Sequence, residues 1–273
     1  MYGLVIAFKD YKITRGIEGS SWSNPWYKWF LNFFTDPYFG RLLKNTFMIS
    51  GLTILFGFPA PIILALMINE VKNSAFKRTV QTITYMPYFI SMVVLCGLLK
   101  TFCMQDGLFA QIAVLFGGKA QNYLANPAYF RTIYVLSDIW SGIGWNSIIY
   151  LAALSSIDQE QYEAARVDGA NRFEQMIHIT LPGLVPTIMV LFILRMGNIL
   201  NVGYEKILLL YNSATYSTAD VISTYTYRLS FGGSGNPMYS KSTAIGLFNT
   251  IINVFFLMLT NMISKKATDA GLF

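Results

Sequence analysis

Five long apolar runs constrain the fold of this chain more than any other feature of its sequence. A helix needs about 20 apolar residues to cross the hydrocarbon core of a bilayer. Because lipid offers no hydrogen-bond partners to the backbone, such runs must form helices. The sequence therefore predicts five full transmembrane helices, near residues 45–68, 82–102, 132–157, 184–202 and 242–264.

The amino-acid composition agrees with a membrane location. Of the 273 residues, 54% are hydrophobic and 12% are charged, whereas about 25% of the residues in a soluble domain are charged. The net charge is +6, but the basic residues are scattered over short loops and form no continuous stripe. We interpret them as anchors at the membrane surface rather than as a nucleic-acid-binding face. The expected fold class is an all-α, multi-pass helical bundle.

Two shorter stretches precede the first full run. Residues 1–8 are apolar but too short to cross a bilayer, and they lack the charged start and cleavage site of a signal peptide. Residues 22–44 are crowded with aromatic side chains, several of which fall on one helical face. We expect a helix lying along the membrane surface here. The alternative is a platform on which sugar rings stack.

A charged segment, EQYEAARVDGANRFEQMIHITLPGLVP, separates the third run from the fourth and covers residues 160–186. It predicts two short amphipathic helices with a sharp bend at Asp168 and Gly169, because glycine adopts positive φ without a Cβ penalty. Pro182 and Pro186 are expected in the first turns of the next helix, where a missing N–H costs little.

The first half of this charged segment has the features of a docking surface. The small side chains of Ala164 and Ala165 allow another surface to approach closely, and Glu163 offers a carboxylate to a basic or amide group. Such a rigid element outside the bilayer suits a membrane protein that receives mechanical work from a soluble partner. An ordinary charged loop between two transmembrane helices is the alternative.

Several polar residues interrupt the predicted transmembrane helices. Asp138 is costly inside a bilayer, and it either contacts a polar solute, pairs with Arg195, or lies near the outer surface at a solvated helix start. Trp140, Trp145 and Asn146 follow it in the same run.

A polar stripe is predicted on the fourth run, where Arg195, Asn198 and Asn201 recur at intervals of three. Asn249 and Asn253 share one face of the last run. These side chains either bind neighbouring helices through hydrogen bonds or line a pathway for a hydroxyl-rich solute.

Catalytic chemistry is absent from the sequence. It contains no G-x-x-x-x-G-K-[ST] phosphate loop, and its single histidine, His178, has no partners for a metal site or a catalytic triad. Cys96 and Cys103 are seven residues apart on one predicted helix, about 10 Å by helical rise, too far for a disulfide. The chain is therefore predicted to be no enzyme and to bind no metal.

The charged segment resembles the EAA loop of binding-protein-dependent ABC importer permeases. The resemblance rests on Glu163-Ala164-Ala165, Gly169, Ile179 and Leu181-Pro182, which are spaced as in that loop. Other stretches resemble the permeases of carbohydrate importers, in particular those for polysaccharides or aldouronates. These stretches are MYGLVIAFKDYK, FGFPAPIILALMINEV, FKRTVQTITYMPYFIS and RMGNILNVGYEKILLLYN.

The resemblance implies a type I ABC importer permease in a bacterial plasma membrane. Residues 1–44 would be the remnant of a first transmembrane helix followed by the external aromatic segment. Residues 45–273 would be the permease domain, with a cytoplasmic coupling loop at 158–183. The residues that dock onto an ATPase would be Glu163, Ala164, Ala165, Asp168, Gly169, Leu181 and Pro182.

The partners that the resemblance implies are a second permease in a heterodimer, two cytoplasmic ABC ATPases and an extracellular solute-binding lipoprotein. ATP and Mg²⁺ would be bound by the ATPases and not by this chain. The expected function is ATP-driven import, with an oligosaccharide as substrate. The alternative is an ion-coupled secondary carrier that uses Asp138 and Arg195.

Overall fold

The computed structural model describes residues 2–232, 237–268 and 271–272. Within these ranges the chain folds into α-helices joined by short 3₁₀ turns, and its one β-type pairing is an isolated bridge between Lys9 and Trp22. The principal helices are α1 (Lys28–Phe34), α2 (Phe39–Glu70), α3 (Ser74–Tyr85), α4 (Met92–Cys103), α5 (Leu108–Leu115), α6 (Pro127–Ser155), α7 (Gln159–Val167), α8 (Arg172–Met196), α9 (Tyr204–Leu210), α10 (Ile222–Phe231) and α11 (Tyr239–Thr268).

The all-α membrane fold is confirmed, but the predicted number of spans is not. In the described part of the chain, four helical segments are long and apolar enough to cross a bilayer: α2, Met92–Leu115, α8 and α11. The third predicted run forms α6, which is 29 residues long. It is not among the four, because polar residues such as Asp138 and Asn146 dilute its apolar character.

The second predicted run, residues 82–102, is wrong as one continuous helix. Helix α3 ends at Tyr85, a 3₁₀ turn follows at Met86–Phe89, and α4 begins only at Met92. Pro87 explains the break, because it lacks the N–H that a continuing helix would use. The side chain of Ser91 then accepts a hydrogen bond from the Val94 amide and caps α4.

Two stretches between the apolar runs contain helices. The stretch 105–129 includes α5 and the start of α6. The stretch 211–240 contains Tyr216–Ala219, α10 and the start of α11. Residues 233–236 of the second stretch lie outside the described residues.

Two helices accommodate paired prolines in the same way. A five-residue π-helix, Thr53–Gly57, precedes Pro59 in α2, and another, Met176–Thr180, precedes Pro182 in α8. A π-helical turn is wider than an α-helical one, so it makes room for the proline ring and for the carbonyl that loses its donor. Pro182 and Pro186 lie in the first two turns of the α-helical segment Leu181–Met196, as predicted, and the π-helix joins this segment to the preceding turn so that α8 runs from Arg172 to Met196.

The helices divide into two compact units. The first unit comprises the described parts of residues 1–51, 91–134 and 198–255, and the second comprises those of residues 52–90, 135–197 and 256–273. In the first unit, Phe33, Leu42, Ile222 and Ile245 form a buried apolar cluster. In the second unit, the corresponding cluster is Ala65, Tyr150, Leu154 and Leu184. The first cluster includes Phe33 from α1, so one side of the predicted surface helix is covered by protein.

Ion pairs hold the first unit together besides its apolar cluster. The Asp220 carboxylate, 1% exposed, accepts two hydrogen bonds of 2.7 Å from Arg228. Asp36 is paired with Lys241 at 2.7 Å and accepts a hydrogen bond from the Tyr225 hydroxyl. Burial alone would raise the pKa of the Asp36 carboxyl, but the hydrogen bonds from Lys241, Tyr225 and the Tyr38 backbone amide outweigh it and hold the pKa below its ordinary value.

In the second unit, the backbone of α6 lies very close to the end of α3. At Gly144, a Cβ atom would lie 2.1 Å from the Thr84 carbonyl oxygen. Glycine is thus required at this position by the packing of one backbone against another.

The two cysteines of α4 are both buried in the first unit and carry free thiols, so the prediction that they form no disulfide is confirmed.

Candidate functional site

The bend in the charged segment is built by hydrogen bonds between near neighbours. The side chain of Asp158 caps the start of α7 and accepts a hydrogen bond of 3.0 Å from the Glu160 amide. The helix ends at Val167, and Gly169, two residues later, has φ +82°. The Gly169 amide donates to the Arg166 carbonyl at 3.1 Å, and the Ala170 amide donates to the Ala165 carbonyl at 2.9 Å. This is a Schellman C-cap, and it confirms the predicted bend.

The helix after the bend is also capped, at its N-terminus, by side-chain hydrogen bonds. The Asn171 side chain accepts hydrogen bonds from the Phe173 and Glu174 amides, each at 3.0 Å, and Glu174 accepts one of 2.7 Å from the Asn171 amide. This reciprocal arrangement is a capping box. We call residues 158–180 the elbow, since hydrogen bonds between near neighbours cap the helix on each side of the bend.

The two faces of α7 have different surroundings. Gln159, Tyr162 and Arg166, spaced like one side of a helix, line a cavity on the inner side of the elbow. Glu163, Ala164 and Val167 are exposed on the remaining surface. The Tyr162 hydroxyl lies 3.0 Å from the Thr180 Oγ1, so α7 is tied to α8.

Most of the predicted docking residues lie together on the elbow. Those exposed there are Glu163, Ala164, Asp168 and Gly169, and Ala165 is half-buried. Leu181 and Pro182 lie further along α8, where Leu181 is half-buried.

Two apolar residues of the elbow escaped the sequence-based prediction. Val167 is 88% exposed and Phe173 is 64% exposed, one on each side of Gly169. The available signal was that both are apolar residues in a charged segment, six positions apart on the two sides of the bend. Exposed apolar side chains on such a rigid element favour a surface that another protein covers.

The predicted pathway residues are divided between the two units. Asp138, Trp140, Trp145, Asn146 and Arg195 belong to the second unit, and the other candidates belong to the first. Asp138 is half-buried and is the twelfth residue of α6. The interpretation of Asp138 as a solvated helix start is therefore wrong.

Trp145 is part of an exposed aromatic group in the second unit. Its ring stacks on Tyr88 with centroids 4.7 Å apart and an interplanar angle of 5°, and Phe89 meets it edge-on at 5.6 Å. Trp145 and Trp140 are 40% and 49% exposed. The stacking contact holds the Trp145 ring in one orientation while part of its surface stays accessible.

The prediction of one polar stripe along a single helix is wrong. Helix α8 ends at Met196, so Asn198 and Asn201 lie beyond it, in the first unit, where the side-chain amide of Asn201 donates to the Asn198 Oδ1 at 3.1 Å. The last run also contributes to this turn, because the buried Asn253 accepts a hydrogen bond of 3.1 Å from the Leu200 amide. Asn249 is half-buried on α11, and its Oδ1 has no hydrogen-bond partner within the described residues.

Comparison with known proteins places the whole chain among transport proteins. The model of a family described as "Binding-protein-dependent transport system inner membrane component" matches residues 57–269. Protein LplB of Bacillus subtilis (strain 168) is 43% identical over 274 residues, which cover 100% of this chain and 85% of LplB. The polygalacturonan/rhamnogalacturonan transport system permease protein YteP of the same organism is 42% identical, over 100% of this chain and 84% of YteP.

A solved structure gives the same result at the level of the fold. It is the crystal structure of a bacterial alginate ABC transporter in complex with an alginate pentasaccharide-bound periplasmic protein. One of its chains is 44% identical to this chain, with a TM-score of 0.88 and coverage of 99% of this chain and 88% of that one. These findings give no support to an ion-coupled carrier. The chain belongs to the family of binding-protein-dependent transport system inner membrane components, and it is a multi-pass, non-enzymatic permease subunit of an ABC importer.

Proposed function

We propose that the exposed side of the elbow is the surface through which this permease receives work from a separate ATPase. The observation that carries the proposal is the 88% exposed Val167, held beside Glu163 and Ala164 on a helix whose two ends are capped. A rigid helix can transmit force without bending. Burial of an exposed apolar side chain in a groove of the partner stabilises the complex. Asp168 and Gly169 form the apex of the same surface.

The proposed mechanism is alternating access. Closure of two cytoplasmic ATPases, which bind ATP and Mg²⁺, pulls on the elbow and moves the helices attached to it, α6 and α8. To shift a two-state equilibrium decisively, this pull must favour one state by about 5 kcal/mol. A second permease and an extracellular solute-binding lipoprotein complete the proposed assembly. The family description and the periplasmic protein in the similar structure support the solute-binding partner of this set.

The proposed substrate is an oligosaccharide. The names of YteP and of the alginate transporter support this class, since both refer to polysaccharides. The Trp145 ring, oriented by Tyr88, offers an apolar face to a sugar ring. Within the second unit, the other proposed polar or aromatic contacts are Asp138, Trp140, Asn146 and Arg195. Within the first unit, the proposed contacts are Asn198, Asn201 and Asn249. Asn253 is left out of this set because its carbonyl oxygen is bonded to the Leu200 amide.

Val167→Asp is expected to abolish the recovery of the ATPase with this permease. A carboxylate in the groove that covers Val167 would be buried without a partner, which costs several kcal/mol. The measurement is a pull-down from detergent-solubilised membranes that contain the second permease, with this chain as bait. Val167→Thr, which keeps the shape of the side chain and adds no charge, is the matched control and should retain the ATPase.

Two results would contradict the docking proposal. In the first, Val167→Asp recovers as much ATPase as the wild type does. In the second, no ATPase is recovered with any form although the permease is folded and its second permease is present.

Trp145→Ala is expected to raise the KM for oligosaccharide uptake, while Trp145→Phe stays near the wild type. A stacking contact contributes about 0.5–1.5 kcal/mol, so the rise should be roughly 2- to 10-fold. The measurement is the rate of labelled-oligosaccharide uptake against concentration, with ATPase recovery as a control for assembly. Unchanged KM values in both variants would remove Trp145 from the pathway.

A further inference from the structure

A cavity of about 930 Å³ lies on the inner side of the elbow, within the second unit. Its walls are the ends of α2 and α6, the inner face of α7 and the first turns of α8. The size is near the upper end of the range of about 300–1,000 Å³ that small-molecule sites occupy. None of the exposed docking residues on α7 lines it, so this cavity is separate from the proposed ATPase surface.

The charges that line the cavity are mostly positive. Lys72, Arg166 and Arg172 contribute three cations, and Glu70 is the one carboxylate, so two positive charges are in excess. Glu70 is 3.3 Å from Arg172, but both side chains are about half exposed, and such a pair stabilises the fold little. The pair therefore leaves Arg172 available to a stronger anionic partner.

The neutral part of the lining also suits a ligand with several oxygen atoms. Gln175, 9% exposed, is fixed by a hydrogen bond of 2.9 Å from its side-chain amide to the Ala170 carbonyl. Tyr162 and Thr180 are bonded to each other at the base. Further polar residues surround them, and the apolar contributors are few, namely Leu154, Ala170 and Met176. A lining of this polarity disfavours an apolar ligand. It favours a phosphate group, because one guanidinium group can donate two parallel hydrogen bonds to two phosphate oxygens.

The position of the cavity indicates which anion is at hand. Glu70 and Ser155, which line it, are the last residues of α2 and α6. The ends of membrane helices lie at the level of the lipid headgroups, and basic pockets there bind anionic headgroups. We propose that the elbow cavity binds a phosphate group, carried either by an anionic phospholipid or by a free phosphate ion. Because its three cations belong to separate elements, one bound anion would tie α7 and α8 to the loop after α2.

Binding to the full chain in an uncharged detergent tests this proposal. The probes are dihexanoyl phosphatidylglycerol, dihexanoyl phosphatidylcholine and inorganic phosphate, followed by isothermal titration calorimetry. We expect saturable binding of the phosphatidylglycerol and no binding of the phosphatidylcholine. Arg166→Gln with Arg172→Gln should weaken binding by about 25-fold, at about fivefold for each cation removed.

Matched variants separate the cavity from general charge and from folding. Lys77→Gln with Arg78→Gln removes two cations of α3 that do not line the cavity, and it should leave the affinity unchanged. Arg166→Lys with Arg172→Lys keeps both charges but loses the paired hydrogen bonds of the guanidinium groups, so it should bind more weakly than the wild type and more tightly than the glutamine variant. Such intermediate binding shows that the elbow remains folded.

The phosphate probe identifies the source of the anion. If inorganic phosphate binds as tightly as the phosphatidylglycerol does, and if its binding depends on the same two arginines, the site takes free phosphate. If only the lipid binds, the site takes a headgroup. Equal binding of both lipids, or an unchanged affinity after both arginines are replaced by Gln, would overturn the proposal. ATPase recovery is read separately, so failure of this site and failure of the docking surface remain distinguishable.

Discussion

Replacing Gly169 by Asp is expected to stop ATP-driven uptake and to leave the permease in the membrane. A Cβ at this position meets no heavy atom within 4 Å, so nothing in the chain resists the side chain sterically. The backbone cost is also modest, about 1 kcal/mol, because Asp tolerates the left-handed conformation better than most residues. The new carboxylate would stand at the apex of the elbow beside Asp168, on the surface that we propose to be covered by the ATPase.

The loss should be complete because coupling acts through one contact surface. If the ATPase no longer holds the elbow, its closure cannot bias the two states of the permease by the roughly 5 kcal/mol that switching requires. Uptake should then fall to the level of cells that lack the ATPase. Labelled-oligosaccharide uptake gives the transport rate, and an immunoblot of membranes gives the amount of permease.

Gly169→Asn is the matched control for this experiment. Asn has nearly the size of Asp and adopts the left-handed conformation as well, but it carries no charge. We expect it to retain a substantial part of the transport rate. Uptake at the wild-type rate in Gly169→Asp would contradict the docking role, and absence of that variant from the membrane would assign Gly169 to folding instead.

Gly144→Ala is expected to destabilise the protein rather than to uncouple it. The added Cβ would lie 2.1 Å from the Thr84 carbonyl oxygen and 2.4 Å from the Thr84 carbonyl carbon, both of them backbone atoms. Backbone atoms cannot rotate out of the way as a flexible side chain does, so α6 must shift. Overpacking of this kind costs about 1–3 kcal/mol or more. A lower midpoint of thermal unfolding and less permease in the membrane should follow.

Gly142→Ala provides the comparison, two residues earlier on the same helix. There the nearest atom to a new Cβ is the Asn146 Nδ2, at 3.2 Å, which belongs to a movable side chain. We expect this variant to unfold within a few degrees of the wild type. Equal midpoints for the two alanine variants would show that the approach of Thr84 to Gly144 does not limit stability.

The elbow could be predicted from the sequence because the contacts that form it are local. The Asp158 cap, the Gly169 turn and the Asn171 capping box each join residues two to five positions apart. The side chains that these contacts need can be identified in the sequence alone. The same holds for the all-α membrane class, since an apolar run about 20 residues long is nearly always a helix.

The polar residues near the end of α8 could not be placed from local sequence patterns. The interval of three between Arg195, Asn198 and Asn201 is correct as periodicity, but the helix stops at Met196. The turn after it is held by a hydrogen bond between Leu200 and Asn253, which are 53 positions apart. No local pattern encodes a partner so far away.

Contacts of long sequence separation decided the remaining features. Gly144 is required because the Thr84 backbone lies against it, and the elbow cavity exists because Glu70 and Arg172, 102 positions apart, line one space. The sequence by itself determined the membrane class, the helical content and the elbow, since hydrophobic length, capping and turn conformation are local properties. Only the tertiary structure decided the end of α8, the cavity and the exposure of Val167, because each depends on which distant segments come together.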